Sequence, residues 1–116
     1  MHEYSLIQAL VGRVESEARA RGASSVHRVR VSLGELAGVD PALFATAFET
    51  FTPHTLCGGA ALELKEVPAR WACRGCGRSI ARGERLQCTA CGAPARLVEG
   101  DEIMLDQIDL EVPDVS

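Results

Sequence analysis

The sequence lacks several features that would each have indicated a function. No run of apolar residues approaches the roughly 18 that a membrane-spanning helix needs, and there are no internal repeats or low-complexity tracts. The sequence contains no GxxxxGK[ST] loop that would bind a nucleotide phosphate. It also shows no nucleophilic residue and base at a sequence spacing typical of a catalytic pair. We therefore expect a compact soluble protein that is not an enzyme, has no membrane contact and takes any nucleotide energy from a partner.

Cysteine is the residue whose arrangement is most informative. Four of the five cysteines form two CxxC pairs, Cys73 with Cys76 and Cys88 with Cys91, and each pair is followed by glycine. Four thiolates suit tetrahedral Zn(II) and leave no open position for a catalytic water, so the pattern predicts structural zinc. The alternative is two disulfides, but the odd cysteine and the lack of an apolar leader favour zinc in a reducing cytoplasm.

The net charge of −4 is distributed unevenly along the chain. The segment 70–96 carries a formal charge of +5 and the rest of the chain −9. A thiolate-ligated zinc site is itself anionic, so part of this basic surplus offsets the charge of the site. The alternative is a zinc module that follows nucleic-acid phosphates, but we expect no nucleic-acid partner.

Hydrophobic periodicity predicts two helices and three strands outside the cysteine segment. Apolar residues at helical spacing follow a possible capping box at Ser5, and a second helix begins at Asp40-Pro41 and contains all three phenylalanines, which we assign to the core. Alternating residues predict three strands, over 28–34, over 60–65 and over 102–112. The last strand changes phase near Asp106, which predicts a bulge.

These elements predict an α+β fold with a second module inserted into it. A three-stranded sheet with two helices is expected to form one domain from residues 1–68 and 100–116. An inserted zinc-ribbon module with four cysteine ligands is expected to occupy residues 69–99. The zinc ribbon is then an appendage of the sheet rather than its core.

The amino terminus offers a second set of metal ligands. The chain begins Met1-His2-Glu3, and a histidine at position two can chelate one ion through its imidazole, its backbone nitrogen and the terminal amine. A nitrogen-rich square-planar field favours Ni(II) or Cu(II) over Zn(II). Taken alone, this histidine is more often a solvated terminal side chain than a metal ligand, so the prediction of a metal site depends on its context.

Four further residues are secondary candidates. His27 shares a predicted strand face with buried valines, so we expect it to be partly buried. His54 is expected in an exposed loop, and Cys57 is expected to be a small buried hydrophobe. Glu35 is either a solvated turn residue or an accessory group near the nickel site.

Taken together, the segments of the chain resemble one family. These segments are Met1-His2-Glu3-Tyr4-Ser5-Leu6, Arg30 to Val39, the helix from Phe44 to Glu49, Glu66-Val67-Pro68-Ala69 and the CxxCG pairs. In this order they resemble the HypA/HybF family of hydrogenase-maturation nickel metallochaperones, over essentially the full chain.

The resemblance implies a function and a set of partners. It implies that Met1 (terminal amine), His2 and Glu3 (backbone nitrogen) bind transported Ni(II), and that Cys73, Cys76, Cys88 and Cys91 bind structural Zn(II). The larger domain is then the nickel-binding domain. Implied partners are the nickel-handling GTPase of HypB type, the hydrogenase large subunit and, in some bacteria, urease accessory proteins, with the chain itself a monomer or a homodimer.

Overall fold

The structure is a computed structural model that describes residues 3–113. Its element order is α1 (Glu3–Ala20), β1 (Ser25–Gly34), α2 (Pro41–Phe51), β2 (Ala61–Val67), β3 (Arg70–Cys73), β4 (Ser79–Ile80), β5 (Ala95–Glu99) and β6 (Ile103–Glu111). The strands form two three-stranded sheets, β2-β1-β6 and β4-β3-β5. The predicted α+β body with an inserted four-cysteine module is therefore confirmed.

The sheet body consists of α1, α2 and the sheet β2-β1-β6. Strand β1 pairs parallel with β2, and α2 supplies the crossover that a parallel pair requires. Strand β6 returns to pair antiparallel with β1 on its other edge. This return explains why the chain leaves the body after β2 and re-enters it only after the second sheet is complete.

The core of the body lies between the helices and one face of this sheet. Phe44 and Phe48 of α2 are buried against an apolar stripe of α1 and the alternating residues of β1. Burying a phenylalanine or a branched aliphatic side chain stabilises a fold by about 1.5–3 kcal/mol. The other buried members of this core cluster are Ile7, Val11, Val14, Ala18, Val26, Val29, Val31, Leu33 and Cys57.

The helix ends differ from the prediction at one helix and agree with it at the other. Helix α1 already includes Glu3, so Ser5 lies inside the first turn and the predicted capping box is wrong. Helix α2 begins as predicted, because Asp40 is its N-cap and accepts hydrogen bonds from the amides of Ala42 and Leu43 at 2.9 and 3.2 Å.

Two irregularities interrupt the pairing of β1 with β6. Between Arg30 and Val31 the partner shifts from Gln107 to Leu105, so Asp106 is the extra residue and the predicted bulge is confirmed. A second shift between Val26 and Arg28 makes His27 an extra residue of β1. Each bulge turns the following side chains to the opposite face of the strand.

Within the described range 3–113, no helix is both long enough and apolar enough to cross a lipid bilayer.

Candidate metal centres

The four cysteines of the two CxxC pairs come together in the second module. Cys73 ends β3 and Cys76 follows in the turn to β4, while Cys88 and Cys91 lie in the loop that precedes β5. Their four sulfur atoms all lie within 4.8 Å of one another. The structure thus unites the sequence-predicted zinc ligands in one cluster.

Each pair is held in a tight knuckle, and the two knuckles repeat the same hydrogen bonds. In the first, the amide of Cys73 donates to the carbonyl of Arg78 at 2.7 Å, and the amide of Gly77 donates to the carbonyl of Cys73 at 3.0 Å. In the second, the amide of Cys88 donates to the carbonyl of Ala93 at 2.8 Å, and the amide of Gly92 donates to the carbonyl of Cys88 at 2.9 Å.

The glycine in each knuckle is required by its backbone conformation. Gly77 and Gly92 have φ values of +77° and +76°, a region that other residues rarely enter. Each turn also directs a backbone amide toward a sulfur atom. The amide of Gly75 donates to the Cys73 Sγ at 3.2 Å, and the amide of Ala90 donates to the Cys88 Sγ at 3.4 Å. Such bonds stabilise a thiolate over a thiol.

The cluster fits a divalent metal ion in its ligand types and its dimensions. Zinc–sulfur bonds of about 2.3 Å in a tetrahedron place sulfur atoms about 3.8 Å apart. The Sγ atoms of Cys76 and Cys88 are 3.8 Å apart, and those of Cys73 and Cys91 are 3.2 Å apart. Four sulfur donors also make the set suited to structural Zn²⁺ rather than to a site with an open coordination position.

The electrostatics of the cluster favour negative charge on the first cysteine of each pair. The pKa of Cys88 is lowered to about 6, first because the Arg78 guanidinium lies against its sulfur and next because backbone amides donate to it. The pKa of Cys73 is also lowered, chiefly by the amide of Cys76. The pKa of Cys91 rises to about 11, because the neighbouring sulfurs and burial outweigh the lowering by the amide of Ala93. A bound cation would remove this competition among the thiols.

The predicted nickel residues lie at the edge of the described range. Met1 and His2 fall outside it, so the predicted amine and imidazole ligands remain predictions. Glu3 is the first residue of α1, and its Oε2 accepts a hydrogen bond from the amide of Asp40 at 3.4 Å. Tyr4 stacks edge-on against Phe51 with ring centroids 5.5 Å apart. The first turn of α1 is therefore fixed on α2 by two adjacent side chains.

The structure places the secondary candidates His27, His54 and Cys57 outside the four-cysteine cluster. The prediction of a partly buried His27 is wrong, because the bulge turns the residue outward and leaves its side chain 59% exposed beside Glu111. His54 is exposed in the loop after α2, as predicted. Cys57 is fully buried in the body core, also as predicted. Burial and the nearby Glu15 raise the pKa of the Cys57 thiol to about 11, which leaves it unreactive at neutral pH.

Glu35 lies exposed in a turn, as one of the two alternatives predicted, but its carboxylate is paired within the chain rather than only solvated. Its carboxylate pairs with the guanidinium of Arg82 and accepts the amide of Ala69 at 2.8 Å. These contacts hold the pKa of Glu35 below its usual value, with Arg82 as the larger cause. Glu35 and Arg82 are 47 positions apart, and the sequence carries no local signal that would pair them.

Arg78, like Arg82, was not singled out by the sequence analysis. Arg78 contributed there only to the positive charge of the segment 70–96, yet its guanidinium lies against the sulfur of Cys88. Its place directly after the Cys73-Arg74-Gly75-Cys76-Gly77 turn was the available signal, since the carbonyl of Arg78 closes that knuckle.

The fold and the cluster define a class of protein, a small metal-binding protein with a helix-and-sheet body and a module of the zinc-ribbon type. The chain belongs to the HypA family, whose model, described as hydrogenase/urease nickel incorporation, metallochaperone, hypA, matches residues 1–110. That family role is metal delivery rather than catalysis, and it is a role in hydrogenase maturation.

Individual relatives agree with the family match over the whole chain. The chain is 41% identical over 113 residues to the hydrogenase maturation factor HypA of Shewanella halifaxensis, covering 96% of this chain and 98% of that one. It is 37% identical to the factor of the same name in Wolinella succinogenes, with 98% of both chains covered.

Solved structures support the same fold. The solution structure of the Ni metallochaperone HypA from Helicobacter pylori is 27% identical and superposes with a TM-score of 0.71, covering 97% of this chain and all of that chain. A second solution structure of a HypA protein is 27% identical and superposes with a TM-score of 0.79, covering 97% and 98% of the two chains.

Proposed function

We propose that this chain carries one Ni²⁺ ion on its amino terminus and delivers it during the maturation of [NiFe] hydrogenase. The ligands are the terminal amine of Met1, the imidazole and backbone nitrogen of His2 and the backbone nitrogen of Glu3. The observation that carries this proposal is the family match over residues 1–110, in a chain that has histidine at position two. Nickel in this proposal is cargo, bound and released intact.

The position of Glu3 supports such a site. Its side chain and that of Tyr4 hold the first turn of α1 on α2, so the residues before Glu3 start from a fixed point. The first amides of a helix have no partner within the helix, so the Glu3 nitrogen is not committed to a helical hydrogen bond. A metal ion can therefore take this nitrogen at no cost in helical hydrogen bonds.

We further propose that the cysteine cluster holds structural Zn²⁺ and that the module is a domain of its own. Residues 69–99 form the zinc domain in this proposal, and residues 1–68 with 100–116 form the nickel domain. When bound, zinc supplies a fourfold cross-link among the thiolates. The residues Cys73, Cys76, Cys88 and Cys91 hold it, while Arg78 and the knuckle amides balance their charge.

The proposed partners follow from the family role. They are the nickel-handling GTPase of HypB type, because this sequence has no phosphate-binding loop of its own, and the large subunit of the hydrogenase. Urease accessory proteins are a further proposed client, since the family description includes urease. We place the chain in the cytoplasm, as a monomer or a homodimer.

The basic module offers less to nucleic acid than its composition suggests. Three of its six arginines form ion pairs with carboxylates of the same chain. These pairs are Arg70–Glu99, Arg78–Glu84 and Arg82–Glu35. These ion pairs neutralise much of the positive charge that would attract nucleic-acid phosphates. This accounting favours the nickel carrier over a nucleic-acid adaptor.

Blocking the terminal amine is expected to abolish tight nickel binding. We would titrate Ni²⁺ calorimetrically into the untagged, zinc-loaded chain and into the same chain extended by Gly-Ser-Gly ahead of Met1. The extension removes the amine from the chelate while every side chain is kept. We expect one tight equivalent for the native terminus and none for the extended chain.

One control and the length of the extension make this result specific to the terminal amine. Zinc content must be equal in both proteins, so that the cysteines are occupied in each. A single added residue is avoided, because histidine at position three with a free amine would form a new nickel chelate. Equal tight binding by the native and extended chains would refute the amino-terminal site.

A further inference from the structure

The four-cysteine module meets the sheet body at one junction. The chain leaves the body after Val67 and re-enters it after Glu99, and both crossings pass beside the end of β1. At this point the amide of Glu35 donates to the carbonyl of Val67 at 2.8 Å, and the amide of Leu36 donates to the carbonyl of Gly100 at 2.7 Å. The residues that follow β1 are thus hydrogen-bonded to both crossings.

The junction is also packed too closely for side chains. A Cβ atom on Gly34 would overlap the backbone of Gly100. A Cβ atom on Gly100, whose φ is +107°, would lie 2.5 Å from the Cα of Ala69. Three backbone segments therefore touch without intervening side chains, so the body and the module meet in direct backbone contact.

We infer that Glu35 is a positioning residue that fixes the orientation of the four-cysteine module on the sheet body. Its carboxylate reaches from the body to two separate parts of the module. One is the amide of Ala69 at the entry crossing, and the other is the guanidinium of Arg82 in the loop after β4. Two contact points, one near the crossings and one farther into the module, restrain rotation as well as separation.

The charge of the contact groups matches this role. The Arg82 guanidinium and the Ala69 amide both favour the charged form of Glu35, so the carboxylate is ionised across the neutral range. Among the described residues, the Arg82 pair is the one ion pair that joins the module to the body. The remaining pairs lie within one part or the other, so they add nothing to the orientation.

The same segment also connects the module to the first helix. The residues from 34 to 41 contact the module at Glu35 and contact α1 through the amide of Asp40, which donates to Glu3. Orientation of the module is thereby set relative to the start of α1. The inference rests on these contacts and not on where nickel binds, so its failure would leave the proposed nickel site unaffected.

Residual dipolar couplings test the orientation directly. We would measure backbone amide couplings of the zinc-loaded, full-length chain for strands β1, β2 and β6 and, separately, for β3 and β5. In the unaltered chain one alignment tensor should fit both groups of strands. In Glu35→Ala we expect two tensors, with the magnitude for the module reduced at least about 2-fold by motion.

Glu99→Ala is the matched control, because it removes one carboxylate of similar exposure, 45% against 39% for Glu35. Its partner Arg70 lies in the same module, so the common tensor should persist. Arg82→Ala removes the partner of Glu35 on the module. It should cause an intermediate loss of common alignment, since the hydrogen bond from the Ala69 amide to Glu35 remains. It also provides the test if Glu35→Ala does not fold.

Two readouts separate positioning from a general loss of stability. Zinc content and the amide spectrum of the body strands should stay unchanged in Glu35→Ala, and Glu35→Gln, which keeps an acceptor for Ala69, should restore part of the common alignment. A single common tensor in both Glu35→Ala and Arg82→Ala would overturn the inference. Equal loss of alignment in Glu99→Ala would also overturn it.

Discussion

Replacing Cys88 with serine is expected to release zinc and to unfold the module of residues 69–99 while the sheet body stays folded. Cys88 is buried, and the Arg78 guanidinium lowers the pKa of its thiol to about 6, so this proposed ligand is mostly thiolate at neutral pH. A serine hydroxyl at the same position stays protonated and is a poor ligand for this metal. The substitution is therefore expected to cost more folding free energy than the loss of one hydrogen bond would.

The module depends on the metal because it has almost no core. Its buried residues are Ala72, Cys73, Ile80 and Cys88, and two of these four are proposed ligands. Structural zinc contributes about 10–16 kcal/mol of apparent binding free energy in small zinc-stabilised units. No hydrophobic burial of comparable size is present to replace it within the described part of the module.

The measurement is zinc content after dialysis against a mild chelator, together with an amide spectrum. We expect content to fall from about one zinc per chain to near zero in Cys88→Ser, with loss of dispersed signals only from the module. Cys57→Ala is the matched control, because it removes a buried thiol of the body. Full zinc retention by Cys88→Ser would contradict the assignment of the cluster.

Replacing His2 with alanine is expected to weaken nickel binding by at least about 100-fold. Mutation of residues that merely support a ligand costs about 10–100-fold in metal affinity, and the loss of a ligand should cost at least as much. In the proposed site the imidazole also closes one of the chelate rings, so its loss would leave the amine and the amide nitrogens to compete with water for the ion. Zinc content should not change, because no cluster cysteine is altered.

Competition with a chromogenic chelator of known affinity would measure this loss. His54→Ala is the matched control, because it removes an exposed imidazole from a loop of the same body. We expect its nickel affinity to equal that of the unaltered chain. If His54→Ala weakened binding and His2→Ala did not, nickel would lie in the loop after α2.

The sequence predicted the architecture because each element carries a strong local pattern. The alternation of β1 and β2, the Asp40-Pro41 start of α2 and the phase change at Asp106 all appear in the structure where expected. The CxxCG turns were equally predictable, since their hydrogen bonds join residues at most five positions apart.

The errors arose where a local pattern was read without its neighbours. Val26 and Val29 are three residues apart, an odd spacing that already signals a change of phase, yet His27 was assigned to the buried face. Ser5 has the residue type of a helix cap, but α1 extends to Glu3, and side chains of that turn contact α2. Tertiary contacts decided the helix start in this case.

The junction could not have been predicted from sequence at all. Glu35, Ala69 and Arg82 come together because the end of β1, the end of β2 and the start of β6 lie at one end of the sheet. No periodicity links positions so far apart in the chain. The four-cysteine cluster was thus predictable from local spacing, whereas the contact that links its module to the sheet body required the fold.

Transfer of labelled nickel tests the central claim most directly. The zinc-loaded chain would be charged with one equivalent of radioactive Ni²⁺ and incubated with a hydrogenase large-subunit precursor and the maturation GTPase. The control is a buffer that holds free Ni²⁺ at the same concentration without the chain. If the protein is a carrier, the precursor acquires label faster from the charged chain than from the buffer; equal rates from both would contradict the account.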